Sequence, residues 1–334
     1  MILVGDIGGT NTRVAIAHIS GTRVTLDRVK KYPSADFPSL TDALVEYVGS
    51  GPHEIAAASF GIAGPIVDDK CEATNLPWIV DADRISRTLK IPHVGLINDL
   101  ESAAYGVESL QDEDVLVINK GVENPRGNRA VVSAGTGLGE AGIYFDGHQY
   151  HPFATEGGHT DFAPRNELEF EMLGFLIEKY GRISYERVVS GPGLVNIYEF
   201  FCATNRYQGD PSLKERLRAG VPKSERGPLI TRMALDGGCE RCAKALDLFL
   251  ELYGSEVGNV ILKMLATGGV WLGGGIIGSV GPRLAEMGGF TRFIQAMTTK
   301  GRMSPLIEAT PVFAILDGEV ALRGAAVHAQ RRFG

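Results

Sequence analysis

The chain has 334 residues, of which 44% are apolar and 22% are charged, and its formal net charge is −7. This length allows two domains of ordinary size, and the composition is typical of a globular protein with a large core. The negative charge disfavours a nucleic-acid-binding protein, whose interface needs clustered Lys and Arg, but it leaves small anionic ligands open. Glycine is unusually frequent, with 43 residues, so we expect many turns or many places where backbone approaches a ligand closely.

The four cysteines are too few for a disulfide framework in a chain of this length; they are Cys71, Cys202, Cys239 and Cys242. They indicate reduced thiols and a cytoplasmic protein. The first apolar run begins at Ile2, so we expect no signal peptide. Residues 264–282 carry no charge and have the length of a membrane span, but their seven glycines favour a buried strand followed by a glycine turn.

The first part of the chain predicts strands and helices in alternation. Apolar runs and alternating patterns predict strands at residues 2–6, 13–19, 24–32, 55–60 and 93–97. Amphipathic segments predict helices at residues 39–48, 81–89 and 98–106, the second of them capped by Asp81.

The second part begins with strands and becomes helical after residue 167. Strands are predicted at residues 115–118, 130–134, 141–145, 149–153, 270–272 and 312–316, and helices at 167–179, 193–203, 239–265 and 318–330. Mixed strands and helices in two blocks predict an α/β protein with two domains and an interdomain cleft. We expect a small domain at residues 1–109, completed by residues 302–334, and a large domain at residues 110–301.

Two glycine turns are candidates for binding phosphate. Residues 5–10 place Gly-Gly-Thr between two strands, and residues 133–139 repeat the pattern in the second block. Such turns present backbone N–H groups with little side-chain bulk, and Asp6 could hold a metal ion through water. An ordinary hairpin is the alternative for either turn alone, but a pair of them favours a phosphate site.

Two nucleotide-binding motifs are excluded or disfavoured. The chain has no G-x-x-x-x-G-K-[ST] sequence, so it is not a P-loop enzyme. Gly273, Gly275 and Gly278 match the dinucleotide fingerprint, but no acidic residue follows at the distance of about twenty residues that a ribose requires. A glycine surface against which an adenosine packs is the favoured interpretation.

Polar side chains mark two further candidate segments. Asn98 and Asp99 directly follow a predicted strand, where open α/β sheets bind ligands, although Asp99 as a helix N-cap is the alternative. Glu156 and His159 flank two glycines, a cluster suited to vicinal hydroxyls, with a metal pair as the alternative. The Cys239-x-x-Cys242 pair lies in a helical pattern and predicts packing.

Taken together, these segments and residues 187–193 (Arg-Val-Val-Ser-Gly-Pro-Gly) resemble the bacterial glucokinase family over essentially the whole chain. That family belongs to the superfamily of actin, sugar kinases and heat-shock chaperone ATPases. The resemblance implies a two-domain actin-like, ribonuclease-H-like sugar kinase fold. It also implies ATP and Mg²⁺ as cofactors, and a homodimer is common in the family. The repressor-like branch has a cysteine-rich zinc site that this sequence lacks, so no zinc is expected.

The resemblance also assigns site residues. Asp99 corresponds to the catalytic base. The implied phosphate-binding residues are Gly5, Asp6, Ile7, Gly8, Gly9, Thr10, Asn11, Gly135, Thr136 and Gly137, and the implied adenosine-binding residues are Gly273, Gly274 and Gly275. The implied glucose-binding residues are Asn98, Asp99, Glu156, His159, Glu186 and, on a weaker match, Asn75. Asp6 is the expected Mg²⁺ residue, acting through water.

The implied reaction is the phosphorylation of D-glucose by ATP to glucose 6-phosphate. A kinase for fructose, mannose or an amino sugar is one alternative. A sugar-responsive regulatory protein is another, but it would want a DNA-binding helix-turn-helix, for which the sequence before the first strand has no room. An actin-like or chaperone-like ATPase would leave Glu156, His159 and Glu186 without a joint purpose. Membrane and nucleic-acid partners are not expected.

Overall fold

The structure is a computed structural model that describes residues 1–49, 54–73 and 76–334. The chain forms two compact units. Unit 1 comprises residues 1–115, 149–154 and 317–334, and unit 2 comprises residues 116–148 and 155–316. The domain boundaries expected at residues 109 and 301 stay predictions.

Unit 1 is built on a five-stranded sheet of order β3-β2-β1-β4-β8. Its strands are β1 (Ile2–Ile7), β2 (Asn11–Ser20), β3 (Arg23–Pro33), β4 (Ala57–Ile62) and β8 (His93–Asn98), and a small sheet contains β5 (Ile66–Val67), β6 (Lys70–Glu72) and β7 (Ile79–Asp81). Its helices are α1 (Leu40–Val48), α2 (Ala82–Leu89), α3 (Asp99–Gly106) and α12 (Val320–Phe333).

Apolar clusters cover both faces of the unit 1 sheet. On one face, Leu322 and Ala325 of α12 pack against Val4 and Ala15. On the other, Phe60 lies in a larger cluster with residues of α1 and α2. Strands β1, β4 and β8 are parallel, and strands of one direction end at the same edge of a sheet. The turn after β1 and the start of α3 therefore share one edge, which is where open α/β sheets bind ligands.

Unit 2 contains a sheet in which β10 pairs antiparallel with β11 and parallel with β13, and β13 pairs parallel with β14. Its strands are β9 (Val115–Asn119), β10 (Arg129–Ala134), β11 (Leu138–Phe145), β13 (Gly269–Gly273) and β14 (Val312–Ile315), while β12 (Tyr150–Thr155) lies mostly in unit 1. Its helices are α4 (Glu167–Tyr180), α5 (Gly191–Ala203), α6 (Pro211–Arg218), α7 (Lys223–Leu235), α8 (Glu240–Met264), α9 (Gly275–Glu286), α10 (Phe290–Thr298) and α11 (Ser304–Glu308).

The long helix α8 is central to the core of unit 2. Tyr253 is fully buried in it and donates a hydrogen bond to the Val132 carbonyl, 3.1 Å away, which fixes the helix against β10. Cys239 caps this helix by accepting a hydrogen bond from the Cys242 N–H through its sulfur. Both cysteines are buried, so the expectation that the pair serves packing is confirmed.

The α/β class is confirmed, but residues 264–282 differ from the prediction. Strand β13 is present, whereas the expected glycine turn is mainly helix α9. The glycines inside that helix are not required by its packing, since a Cβ at Gly278 would be in ordinary contact, 3.7 Å from the Ile315 carbonyl oxygen. The prediction of a turn rested on the low helix propensity of glycine, which the fold overrides here. Of the described helices, none is both long enough and apolar enough to cross a membrane.

Candidate functional site

In unit 1, the turn between β1 and β2 is held by hydrogen bonds from both sides. The Gly8 N–H donates to the Asn11 carbonyl at 3.0 Å. Ser34, which is fully buried, donates through Oγ to the Gly8 carbonyl at 2.8 Å and through its N–H to the Thr10 carbonyl at 3.0 Å. The turn is therefore preformed. Ser34 was missed from the sequence because it lies 26 residues from Gly8 in the chain.

Two of the predicted phosphate-binding residues, Gly5 and Ile7, pack into the core of unit 1. A Cβ at Gly5 would lie 2.7 Å from Cδ1 of the buried Phe60, so packing requires glycine there. The Ile7 side chain lies in the same apolar cluster. Either residue can reach a ligand only through its backbone. Gly9, Thr10 and Asn11 are partly or fully exposed at the turn.

Asp6, the predicted metal residue, forms an ion pair with Arg13. Arg13 donates to Asp6 Oδ2 from Nη2 at 2.5 Å and from Nε at 3.1 Å, and Nη1 also donates to the Gly318 carbonyl. Arg13 therefore joins the first strand to the segment before α12. One oxygen of the Asp6 carboxylate is occupied by these bonds.

The start of α3 separates the roles of Asn98 and Asp99. Asn98 is the N-cap, because its Oδ1 accepts hydrogen bonds from the N–H groups of Leu100 at 3.0 Å and Glu101 at 3.3 Å. Asp99 is the first residue inside the helix, so it is not the N-cap, although its Oδ1 also accepts from the Leu100 N–H at 2.9 Å. The Asn98 amide Nδ2, which is a hydrogen-bond donor, takes no part in this capping. Burial raises the pKa of Glu101, one turn into the same helix.

In unit 2, the second glycine turn contacts the segment of Glu186. The Leu138 N–H donates to Glu186 Oε2 at 3.2 Å, and a Cβ at Gly137 would lie 2.5 Å from the same oxygen. The Gly191 N–H, at the start of α5, donates to the Gly135 carbonyl at 2.8 Å. A predicted sugar-binding side chain and a predicted phosphate-binding turn are thus in direct contact.

The segment from Glu156 to His159 is a single 3₁₀ turn that packs on β11. A Cβ at Gly158 would lie 1.9 Å from the Leu138 carbonyl oxygen, so this glycine is required by backbone contact. The Glu156 and His159 side chains remain largely exposed and approach each other, with His159 Nε2 3.9 Å from Glu156 Oε2. The segment continues to Asp161, which bridges to Ser184 just before Glu186. The structure therefore brings the three predicted sugar-binding residues of unit 2 into neighbouring segments.

A cavity of about 820 Å³ lies within unit 2, which is within the usual size range of small-molecule sites. Its walls include the turn at Gly135 and Thr136 and the first residues of three helices, namely Gly191 of α5, Lys223 of α7 and Gly275 of α9. The N-termini of helices attract anions. The cations Lys223, Arg232 and Arg283 also line the cavity.

Gly135 and Gly275, which line the cavity, could accommodate a side chain, whereas the glycine between β13 and α9 could not. A Cβ at Gly135 or Gly275 would meet nothing within 4 Å, and neither residue has a positive φ, so the fold itself does not require glycine there. Gly274 is different, because its φ is +90° and a Cβ would lie 2.3 Å from the Ala134 carbonyl oxygen. A Cβ at Gly273 would be in ordinary contact with Ser133 at 3.4 Å.

Asn75 lies outside the described residues. Within the described residues, no group of three or more His, Cys, Asp or Glu side chains is arranged to hold a metal ion. A metal ion at Asp6 would therefore need its other ligands from water or from a bound phosphate, as Mg²⁺ commonly has in nucleotide sites.

Comparisons with known proteins show the family of the chain. A family model described as Glucokinase matches residues 3–332. The chain belongs to the glucokinase family. A protein from Nostoc sp. named glucokinase is 38% identical over 343 aligned residues, which cover 99% of each chain. A second, from Nostoc punctiforme, is 39% identical over 342 residues with the same coverage. Family membership makes the protein a kinase, an ATP:hexose phosphotransferase.

Solved structures show the same fold. A glucokinase from an Antarctic psychrotroph matches with a TM-score of 0.83 and 30% identity over 99% of this chain and 98% of that chain. A glucokinase from Balamuthia mandrillaris, solved with glucose, matches with a TM-score of 0.76 at 22% identity, covering 98% and 93% of the two chains. A ROK family glucokinase from Streptomyces griseus, solved with glucose and AMPPNP, matches with a TM-score of 0.65 at 18% identity, covering 99% of each chain. The last two establish the fold alone.

Proposed function

We propose that the protein transfers the γ-phosphoryl group of ATP to the terminal hydroxyl of D-glucose, with Asp99 as the general base. The observation that supports it most is the cavity of unit 2. Its glycines at positions 135 and 275 are not required by packing or by backbone conformation. A ligand that approaches the backbone closely explains glycine there, and the surrounding helix N-termini and cations favour an anionic ligand such as a nucleotide.

Three features of unit 2 support a sugar beside the phosphates. Glu156 and His159 are exposed and side by side, and Glu186 follows the strand-like bridge at Ser184. Carboxylates and imidazole accept and donate the hydrogen bonds that sugar hydroxyls need. Because Glu186 also contacts the turn at Leu138, a sugar held by its other carboxylate oxygen would lie near the second phosphate turn. The names of the relatives favour glucose among hexoses.

The proposed chemistry for Asp99 follows from its position in unit 1. Asn98 is the N-cap of α3, and Asp99, the first residue inside the helix, accepts a hydrogen bond from the Leu100 N–H through Oδ1 at 2.9 Å. As base, Asp99 accepts the proton of the sugar hydroxyl while that oxygen attacks the γ-phosphorus in line and the β–γ bridging oxygen leaves with ADP. Asn98 would orient the same sugar through its amide. Asn75 stays a predicted sugar-binding residue.

Mg²⁺ fits Asp6 only in a supporting position. Oδ2 accepts two hydrogen bonds from Arg13, which leaves Oδ1 to hold a water of the ion. When bound, Mg²⁺ would offset the charge of the phosphates. The backbone N–H groups of the two glycine turns would hold the phosphoryl oxygens, and that stabilisation is expected to supply much of the catalysis.

The test is the rate of ADP formation by the purified protein with ATP, Mg²⁺ and a panel of hexoses that includes glucose, fructose, mannose and an amino sugar. The proposal expects the highest kcat/KM with glucose and no ADP formation above background without a sugar. A clearly higher kcat/KM for another hexose would replace glucose as the substrate. Hydrolysis of ATP at the same rate with and without sugars would overturn the kinase proposal.

A further inference from the structure

A buried carboxyl group lies directly beneath the segment that carries Glu156 and His159. Glu140, on β11, is 1% exposed, and a Cβ at Gly157 would lie 2.0 Å from its Oε2. The two are also joined through Thr155, whose Oγ1 donates to the Glu140 carbonyl at 2.7 Å and accepts from the Gly157 N–H at 3.2 Å. Any displacement of the Glu140 carboxyl would therefore reach the backbone of this segment.

A second buried carboxylate faces Glu140. Glu256, on α8, is fully buried and accepts hydrogen bonds from Lys263 Nζ at 3.1 Å and from Asn259 Nδ2 at 2.7 Å. No donor among the described residues reaches Glu140 Oε1. Burial, together with the Glu256 charge and a side-chain hydrogen bond to it, raises the pKa of Glu140 to about 8. Two adjacent buried carboxylates do not both ionise readily, so Glu140 keeps its proton at neutral pH and, protonated, can donate a hydrogen bond to Glu256.

The same network reaches the segment of Glu186. Asn259 Nδ2 also donates to the Tyr185 hydroxyl at 3.0 Å, and Tyr185 immediately precedes Glu186. The Tyr185 N–H in turn donates to the Thr160 carbonyl at 3.0 Å, just after His159. The pair of buried carboxyl groups is therefore linked, through Thr155 and Asn259, to both predicted sugar-binding segments.

Several charged or titratable groups act on this network from the surrounding elements. On α8, Lys263 lowers the pKa of Glu140, and the Tyr253 phenol is near enough to feel the charge of Glu140. Lys300, after α10, donates to Asn259 Oδ1 at 2.6 Å. The positive charge of Arg165, before α4, acts to lower the pKa of Tyr185 and of Lys300. His159 lies on the supported segment itself. The positive charges of Lys263 and Lys300 balance the negative charge of Glu256. Loss of the proton from Glu140 therefore adds a second buried negative charge that no cation among the described residues balances.

We propose that Glu140 is a positioning residue for the sugar: protonated, it holds the segment of Glu156 and His159 in place, and ionised, it displaces that segment and weakens glucose binding. This inference rests on the proposed function. Loss of the proton removes the hydrogen bond to Glu256 and leaves two buried negative charges that repel each other. Because the Glu140 carboxyl lies against Gly157, its displacement would move the backbone there. The glucose KM should therefore rise above about pH 8, whereas the ATP KM should show no such rise.

The experiment measures ADP formation directly from pH 6.5 to 9.5, with glucose and ATP varied separately. For the wild-type protein, we expect the glucose KM to rise at least about fivefold between pH 7 and 9.5, since binding falls up to tenfold per pH unit above the apparent pKa. Glu140→Gln places an amide donor toward Glu256 that does not titrate, so its glucose KM should stay level over this range. Glu140→Ala should raise the glucose KM at every pH.

Two variants separate this role from a general need for buried carboxylates. Glu169→Gln removes another fully buried carboxylate, the partner of Arg165, and should lower the melting temperature but keep the alkaline rise. Lys263→Met removes a cation that lowers the pKa of Glu140, so it should move the rise to higher pH. This variant still tests the inference if Glu140→Gln does not fold.

A wild-type glucose KM that is constant up to pH 9.5 would overturn the inference, as would an alkaline rise that persists in Glu140→Gln or stays in place in Lys263→Met. These outcomes differ from failure of the proposed function. A protein that phosphorylates glucose at pH 7 with a pH-independent KM refutes the role of Glu140 alone, whereas a protein that phosphorylates no hexose at pH 7 refutes the function on which it rests.

Discussion

Gly158→Ala tests whether the sugar-binding segment depends on its backbone contact with β11. The added methyl carbon would lie 1.9 Å from the Leu138 carbonyl oxygen and 2.8 Å from its carbonyl carbon. Both neighbours are backbone atoms in a paired strand, so neither can rotate away. Relief of this overlap requires the segment of Glu156 and His159 to move by more than about 1 Å, because unstrained carbon–oxygen contacts lie beyond about 3.3 Å.

The expected size of the effect follows from that displacement. Overpacking of this kind costs about 1–3 kcal/mol, which corresponds to a fall in melting temperature of roughly 2–10 °C for a domain of this size. A shift of about 1 Å in substrate-binding groups can cost about 100-fold in rate. We therefore expect the kcat/KM for glucose to fall by about 10- to 100-fold although no side chain that contacts the sugar has been changed.

Gly174→Ala is the matched control. Gly174 is exposed in the middle of α4, and a Cβ there would meet nothing within 4 Å. Alanine should stabilise this helix by about 0.5–1 kcal/mol and leave the kinetics unchanged. Thermal melts and glucose kinetics on both variants decide the matter. A Gly158→Ala protein with the wild-type melting temperature and glucose KM would refute the reasoning.

Three further predictions concern the remaining parts of the site. Gly135→Ala should raise the ATP KM at least about tenfold with little change in melting temperature, because the methyl group enters the cavity rather than the protein; an unchanged ATP KM would remove Gly135 from the nucleotide site. Glu186→Gln retains an acceptor for the Leu138 N–H, so we expect a normal melt and a glucose KM raised about 10- to 100-fold for a lost charged hydrogen bond; a raised ATP KM alone would place Glu186 with the nucleotide. Arg13→Met releases the Asp6 carboxylate and should lower stability by about 1 kcal/mol and raise the ATP KM; equal stability and kinetics would show that the ion pair positions nothing.

The parts of the fold that depend on local sequence were predicted well. The long helix expected at residues 239–265 is observed as Glu240–Met264, because its apolar periodicity extends over many turns. Asp81 caps α2 as expected, accepting from the Arg84 N–H. Helix α7 was missed, because Gly227 and Pro228 signal a break. A Cβ at Gly227 would lie 3.0 Å from the Gly191 carbonyl oxygen, so this glycine serves a close approach of α7 to the start of α5.

The residues of the candidate site were predicted from motifs, but their support was not. Ser34, Arg13 and Glu140 contact the predicted segments from elsewhere in the chain or the sheet. No local pattern reports such contacts, because they depend on strand pairing and on turns that bring distant residues together. The capping role of Asn98 was not predicted either, because Asn and Asp are both good caps and the sequence alone favoured the neighbouring Asp99.

The most direct test of the central claim, that this protein is a glucose kinase with Asp99 as its base, is kcat for Asp99→Asn with saturating glucose and ATP. Asn98 caps α3 and is unchanged in this variant, so the melting temperature and the glucose affinity should stay near wild type. Loss of general-base catalysis should reduce kcat by about 10²- to 10⁴-fold. A kcat near the wild-type value in a folded, glucose-binding variant would contradict the account.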